Sequence, residues 1–231
     1  MKITTEKEKL GYFIMLIVLC CSCLIGCSKM DDTYKDFIKD GERVYVGRVD
    51  SLKARPGLNR LQLSWLAISD RQVIKATIFW NNRTSKKDVP IQKTAGIDLI
   101  EVILTDIPEE NYAFEVITYD SDNNFSMPVN ITSRVYGDQY VRSLYNRLII
   151  STAKKTNTLQ INWDAASTGT VRTEIEYTDV SGLTSTVNAA GSELITVIAN
   201  YKTGTSFKYR TLFLPEPLAL DTAYTDFVVI N

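Results

Sequence analysis

A block of roughly 95 residues occurs twice in this 231-residue chain, and inside each copy the hydrophobic pattern has a period of two, not 3.6. Leu61-Gln62-Leu63-Ser64-Trp65 returns as Leu159-Gln160-Ile161-Asn162-Trp163, and Ile74-Lys-Ala-Thr-Ile78-Phe-Trp80 returns as Val171-Arg-Thr-Glu-Ile175-Glu-Tyr177. Ala95-Gly96-Ile97-Asp98-Leu99-Ile100-Glu101-Val102-Ile103 matches Ala190-Gly191-Ser192-Glu193-Leu194-Ile195-Thr196-Val197-Ile198, and Asn111-Tyr112-Ala-Phe114 matches Ser206-Phe207-Lys-Tyr209. The four matches fall in the same order, with an offset drifting only from 98 to 95. Alternation places Ile74, Ala76, Ile78 and Trp80 on one face of a strand, with Lys75 and Thr77 on the other. Val171, Thr173, Ile175 and Tyr177 form the corresponding stripe opposite Arg172, Glu174 and Glu176. Turn residues punctuate these runs at Pro56-Gly57, Asn81-Asn82, 120–124 and Ser181-Gly182. Short alternating strands in units of this size predict β-sandwiches, one per copy.

The N-terminal 27 residues carry a different message. Lys2, Lys7 and Lys9 precede an apolar run from Tyr12 to Ile25, which closes on Leu24-Ile25-Gly26-Cys27. Charge followed by a short apolar run and a small residue is the signal-peptide pattern. A transmembrane helix needs roughly 20 apolar residues, and this run ends sooner, meeting Ser28-Lys29-Met30-Asp31-Asp32 at once. The segment resembles a bacterial lipobox of Leu24, Ile25 and Gly26 before a lipidated Cys27. That resemblance implies removal of residues 1–26 and acylation of Cys27, hence a protein held on the cell outer membrane and facing the cell surface. Lys29-Met30-Asp31-Asp32 resembles the acidic export tag of surface lipoproteins from gut anaerobes; a solvated tether explains it equally well.

Composition then excludes several chemistries. All four cysteines (Cys20, Cys21, Cys23, Cys27) lie in the leader or at its end, and the chain contains no histidine. A chain starting at a lipidated Cys27 has no free thiol, so disulfides, Cys-His dyads, Ser-His-Asp triads and His-based zinc sites are not expected. Losing Lys2, Lys7, Lys9, Glu6 and Glu8 with the leader leaves 23 basic and 25 acidic residues, a net charge of −2. No field of that size supports a nucleic-acid partner. Paired carboxylates remain conceivable as catalysts, but the doublets Glu109-Glu110 and Asp31-Asp32 join neighbours whose side chains diverge. The expectation is a protein that is not an enzyme and holds neither cofactor nor metal.

Leu104-x-x-Ile107-Pro108-x-x-x-Tyr112-x-Phe114-x-Val116-x-Thr118, followed by the polar run 120–126, resembles the E-to-G segment of a fibronectin type III domain. The resemblance implies that Leu104 is core, that Tyr112 forms a tyrosine corner, and that Trp65 and Trp163 are core landmarks. The second copy lacks the Leu-x-x-x-Pro element and carries a longer Leu214-Pro215-Glu-Pro217-Leu loop, so its last hairpin is expected to be irregular. Gly41-Glu-Arg-Val-Tyr45-Val-Gly47-x-Val-Asp50-Ser51 with Pro56-Gly57-x-x-Arg60 resembles an uncharacterised family of gut-anaerobe surface lipoproteins. Its members often accompany starch-utilisation-type uptake systems, which implies an outer-membrane transporter complex and a polysaccharide or peptide as partners.

The expected fold is therefore all-β: two tandem fibronectin type III/immunoglobulin-like β-sandwiches after a lipoprotein signal peptide. Residues 1–26 are assigned to the signal peptide, 27–42 to a tether, 43–137 to the first sandwich and 138–231 to the second, joined near residues 137–142. Ligand candidates are aromatic, because a flat apolar ring stacks on a sugar face. Trp65, Trp163 and Trp80 fall on core stripes. Phe79 lies on the opposite face, where the second copy has Glu176, and is either exposed or packed against the neighbouring domain. Tyr136, Tyr140 and Tyr145 cluster where the copies join, fixing an interdomain angle or contacting ligand. Asp120-x-Asp122-x-Asn124 has the opening spacing of a calcium loop, but Phe125 stands where glycine belongs, so a polar turn is expected. The expected function is non-catalytic capture or presentation of a glycan beside a transporter; the alternatives are a structural or adhesive protein-contact module and a peptide-binding accessory using β-strand addition.

Overall fold

The computed structural model describes residues 46–67, 72–92 and 94–231. The signal-peptide, lipobox, Cys27 and tether assignments lie outside the described residues. In chain order the elements are β1 (Asp50–Pro56), β2 (Arg60–Ala67), β3 (Lys75–Trp80), β4 (Ser85–Pro90), β5 (Asp98–Thr105), β6 (Glu110–Tyr119), β7 (Val129–Val135), α1 (Asp138–Arg142), β8 (Ile149–Lys155), β9 (Thr158–Trp163), β10 (Thr170–Thr178), β11 (Thr184–Ala190), β12 (Ile195–Ile198), β13 (Phe207–Phe213), β14 (Ala223–Tyr224) and β15 (Val228–Ile230). The first seven strands form sheets ordered β1-β2-β5 and β4-β3-β6-β7. The second copy repeats the plan as β12-β9-β8 and β11-β10-β13-β14, with β15 also on β13. These are two tandem sandwiches of fibronectin type III topology.

Alternation builds each core. Leu61, Leu63 and Trp65 point inward from β2, and Leu159, Ile161 and Trp163 from β9, all at most 2% exposed. They meet Ala76, Ile78, Phe114 and Val116 in the first sandwich, and Ile175, Tyr177, Phe207 and Tyr209 in the second. A fully buried side chain of this size contributes roughly 1.5–3 kcal/mol. Trp80 is half-buried against the first core, its ring 6.4 Å from Phe114. Three details depart from the expected stripes. Ile74 precedes β3 and Val171 is the second residue of β10, and both are exposed. Thr77, expected on the solvent side, is buried and donates its hydroxyl to Asp88 at 2.6 Å.

The longest letter-for-letter match in the repeat proves out of register. Trp65 pairs with Ile100 across β2 and β5, whereas the Trp163 amide bonds the carbonyl of Leu194. The structural offset there is 94, one less than the sequence match gives. Val102 and Leu104 point inward in the first copy; Thr196 and Ile198 do so in the second. Consequently Ile103 is exposed while its sequence match Ile198 is buried. A Leu-Ile-x-Val-Ile run carries apolar residues on both faces, so identity of letters cannot say which face turns inward.

The tyrosine corner also takes two forms. Tyr112 donates its hydroxyl to the Pro108 carbonyl at 3.0 Å. Phe207 fills the matching place without a hydroxyl, and the fully buried Tyr201 donates to the Thr205 carbonyl instead. The last hairpin of the second sandwich is irregular, as its sequence predicts. The final strand is broken between β14 and β15, and the Asn146 amide fills the break, accepting from the Thr225 and Thr211 hydroxyls and donating to the Asp226 carbonyl.

Candidate functional site

The sequence-nominated residues divide between one sheet face and the joint between the sandwiches. On the outer side of β3, Phe79 is half-buried, and the Arg83 guanidinium lies 5.4 Å above its ring. Arg83 also pairs with Glu115, which faces Phe79 across β3 and β6. Positive φ at Asn81, Asn82 and Arg83 curls the hairpin so that this arginine folds back. The ring is thus neither packed on a neighbouring domain nor presented as a flat platform; a cation covers it.

Tyr136 and Tyr140 do meet. Their rings contact edge to face with centroids 4.8 Å apart, and Arg134 lies 5.1 Å from the Tyr136 ring. Burial pushes both phenols above their ordinary range. Tyr145 stands apart from this pair and is 83% exposed, because α1 ends before it and the chain turns out to begin β8. The Tyr136 backbone is bound to the β1–β2 turn: Asn59 N–H donates to its carbonyl at 2.7 Å, and its own N–H donates to Gly57 at 3.0 Å. A side chain on Gly137 would collide with Asn59 and Glu109, which explains the glycine there.

Glu109, half of the doublet weighed as a catalytic pair, holds the linker. Its carboxylate accepts from the backbone N–H groups of Gln139 at 2.7 Å and Tyr140 at 3.0 Å, the first turn of α1. Those amides have no partner within the helix, and a carboxylate there satisfies them and complements the local dipole. From the other side the β13–β14 loop reaches back to the β1–β2 turn. Asp221 accepts from Leu58 N–H at 2.8 Å and from Arg60 Nε at 2.9 Å, and its second oxygen faces Arg60 Nη2. The Arg60 guanidinium holds this carboxyl below the usual carboxylate range. Arg55 Nε donates to the Leu218 carbonyl at 3.0 Å, and Leu220 N–H donates to Pro56 at 2.7 Å. None of Asp221, Arg55 or Leu218 stood out in the sequence; the signal available was the longer Pro-containing loop itself.

The 120–124 run is a turn. Asp120 is buried, and its carboxylate accepts from the N–H groups of Asp122 and Asn124 and from the Asn124 side-chain amide, at 2.8–2.9 Å. The Asn124 side chain chiefly, and the backbone bonds, hold its carboxyl low. Asp179 is used the same way, accepting from Ser181, Leu183 and Ser185. Exposed apolar residues collect elsewhere, on the outer faces of the edge strands: Leu99 and Ile103 on β5, Ile195 and Val197 on β12.

The chain is similar to a two-domain fibronectin type III segment of chicken tenascin, at 13% identity, 79% of this chain, 97% of that one and a TM-score of 0.31. It is similar as well to the FN1–FN3 domains of chicken CNTN1, at 11% identity, 82% of this chain, 69% of that one and a TM-score of 0.43. No curated protein matches it. Residues 27–223 match DUF4998, a domain of unknown function, and the chain belongs to that family.

Proposed function

We propose that this chain is a non-catalytic accessory module of the outer-membrane surface, held by lipid on Cys27, which makes protein contacts beside an uptake transporter. The observation that carries this reading is how the nominated aromatic rings are used. Phe79 lies under Arg83, and Tyr136 and Tyr140 pack on each other at the joint. Sugar capture needs open ring faces aligned on one surface, and these three are engaged otherwise. Outward apolar pairs on β5 and β12 fit protein contact better than carbohydrate. The polymer, if the transporter imports one, is then held by other subunits.

The full chain purified from detergent extracts provides the test. Cross-linking should retain a β-barrel transporter subunit, and Ile195→Lys with Val197→Lys should reduce that yield while leaving the fold intact. Saturable polysaccharide binding by the purified chain, lost in Phe79→Ala, would replace this reading with glycan capture.

A further inference from the structure

We propose that segment 214–222 is a latch: by seating Asp221 on the β1–β2 turn, it locks the angle between the two sandwiches so that they move as one body. Tandem domains joined by small polar contacts ordinarily move relative to each other, and an isolated surface ion pair would not prevent that. Three features separate this contact from such a pair. The Asp221 carboxylate receives a backbone amide as well as both arms of the Arg60 guanidinium, a fork that fixes direction as well as distance. The turn is shaped for it: a Cβ on Gly57 would stand 2.5 Å from Asp221 Oδ2, so the approach requires glycine although Gly57 is not in the left-handed region. The loop is also held in an unfavourable conformation, Leu218 having φ +70°, rare for a bulky side chain. Such a residue persists where its surroundings over-determine it. Here Arg55 holds the Leu218 carbonyl, and Pro56 holds the Leu220 amide.

Glu109 fixes the linker to the first sandwich only, through α1. The latch is the contact in which a loop of the second sandwich grips a turn of the first. It is independent of what the module's surface binds.

The test is a distance measurement on the full chain in detergent, with Cys20, Cys21, Cys23 and Cys27 changed to Ser. Spin labels go on Glu101→Cys in β5 and Val197→Cys in β12, both exposed. The latched protein gives one narrow distance. Asp221→Asn removes the charge at constant shape, and Gly57→Ala leaves both charges but fills the space between them; each should broaden or split the distribution. Near-ultraviolet circular dichroism should stay unchanged, showing both cores intact. Arg60→Gln, a change at a half-exposed side chain, makes the same comparison if Asp221→Asn does not fold. A distribution as narrow in Gly57→Ala and the folded charge variant as in the parent would overturn the latch, because seating Asp221 would then not set the angle. A broad distribution in the parent would overturn it too.

Discussion

Thr196→Val isolates one hydrogen bond that the second sandwich has and the described residues of the first lack. Trp163 is 2% exposed, and its indole N–H donates to the Thr196 hydroxyl at 2.9 Å; that hydroxyl donates onward to Glu193 at 2.6 Å. Val102 occupies the matching place in the first sandwich, and the buried indole N–H of Trp65 has no acceptor among the described residues. Valine replaces threonine at nearly constant volume, so the change leaves packing alone and strands one buried donor. Leaving a buried donor unsatisfied costs roughly 1–3 kcal/mol. A domain of this size shifts by about 4–8 °C per kcal/mol, so the second sandwich should melt at least about 4 °C lower. The Trp163 indole proton should also exchange faster, a readout specific to that sandwich. The reciprocal change is instructive: Val102→Thr alone should be nearly neutral, because the new hydroxyl lacks the acceptor that Glu193 supplies. If Thr196→Val melts with the parent and its indole exchange is unchanged, the hydrogen-bond reasoning is wrong.

Cys27→Ala should release the protein from membranes and abolish labelling by radioactive palmitate; a variant still sedimenting with membranes would refute the anchor. Trp65→Ala should destabilise the first sandwich by about 3–5 kcal/mol, read by denaturant titration. Tyr201→Phe should cost the second sandwich about 0.5–1.5 kcal/mol by removing its displaced corner bond, and Tyr112→Phe should cost the first a similar amount. Asp120, Asp179 and Asp221 all have carboxyl groups lowered in the folded chain. Groups lowered on folding contribute stability above their unfolded value, near 3.9, and lose it as pH falls through the folded one. Stability should therefore be flat near neutrality and fall below about pH 4. Asp120→Asn should make that fall shallower, measured as the denaturant midpoint against pH.

Period-two alternation and the duplicated Trp strand were enough to specify two sandwiches, because burial of one strand face requires that spacing whatever the neighbours are. The irregular last hairpin was legible too, from a lengthened loop and a missing Leu-x-x-x-Pro element. The lipobox-like run ending at Cys27 and the lack of histidine set expectations about place and chemistry, and these depend on local composition alone. Register in β5 and β12 was not legible, since a strand apolar on both sides has two acceptable settings; only pairing with the tryptophan strand selects one. Nor could the sequence say that Glu109 serves a helix end 30 residues away, or that Asp221 meets Arg60 across 161. Charged side chains on turns look alike in one dimension. Their roles are decided by which loops the two sandwiches bring together, and that proximity exists only once both cores have formed.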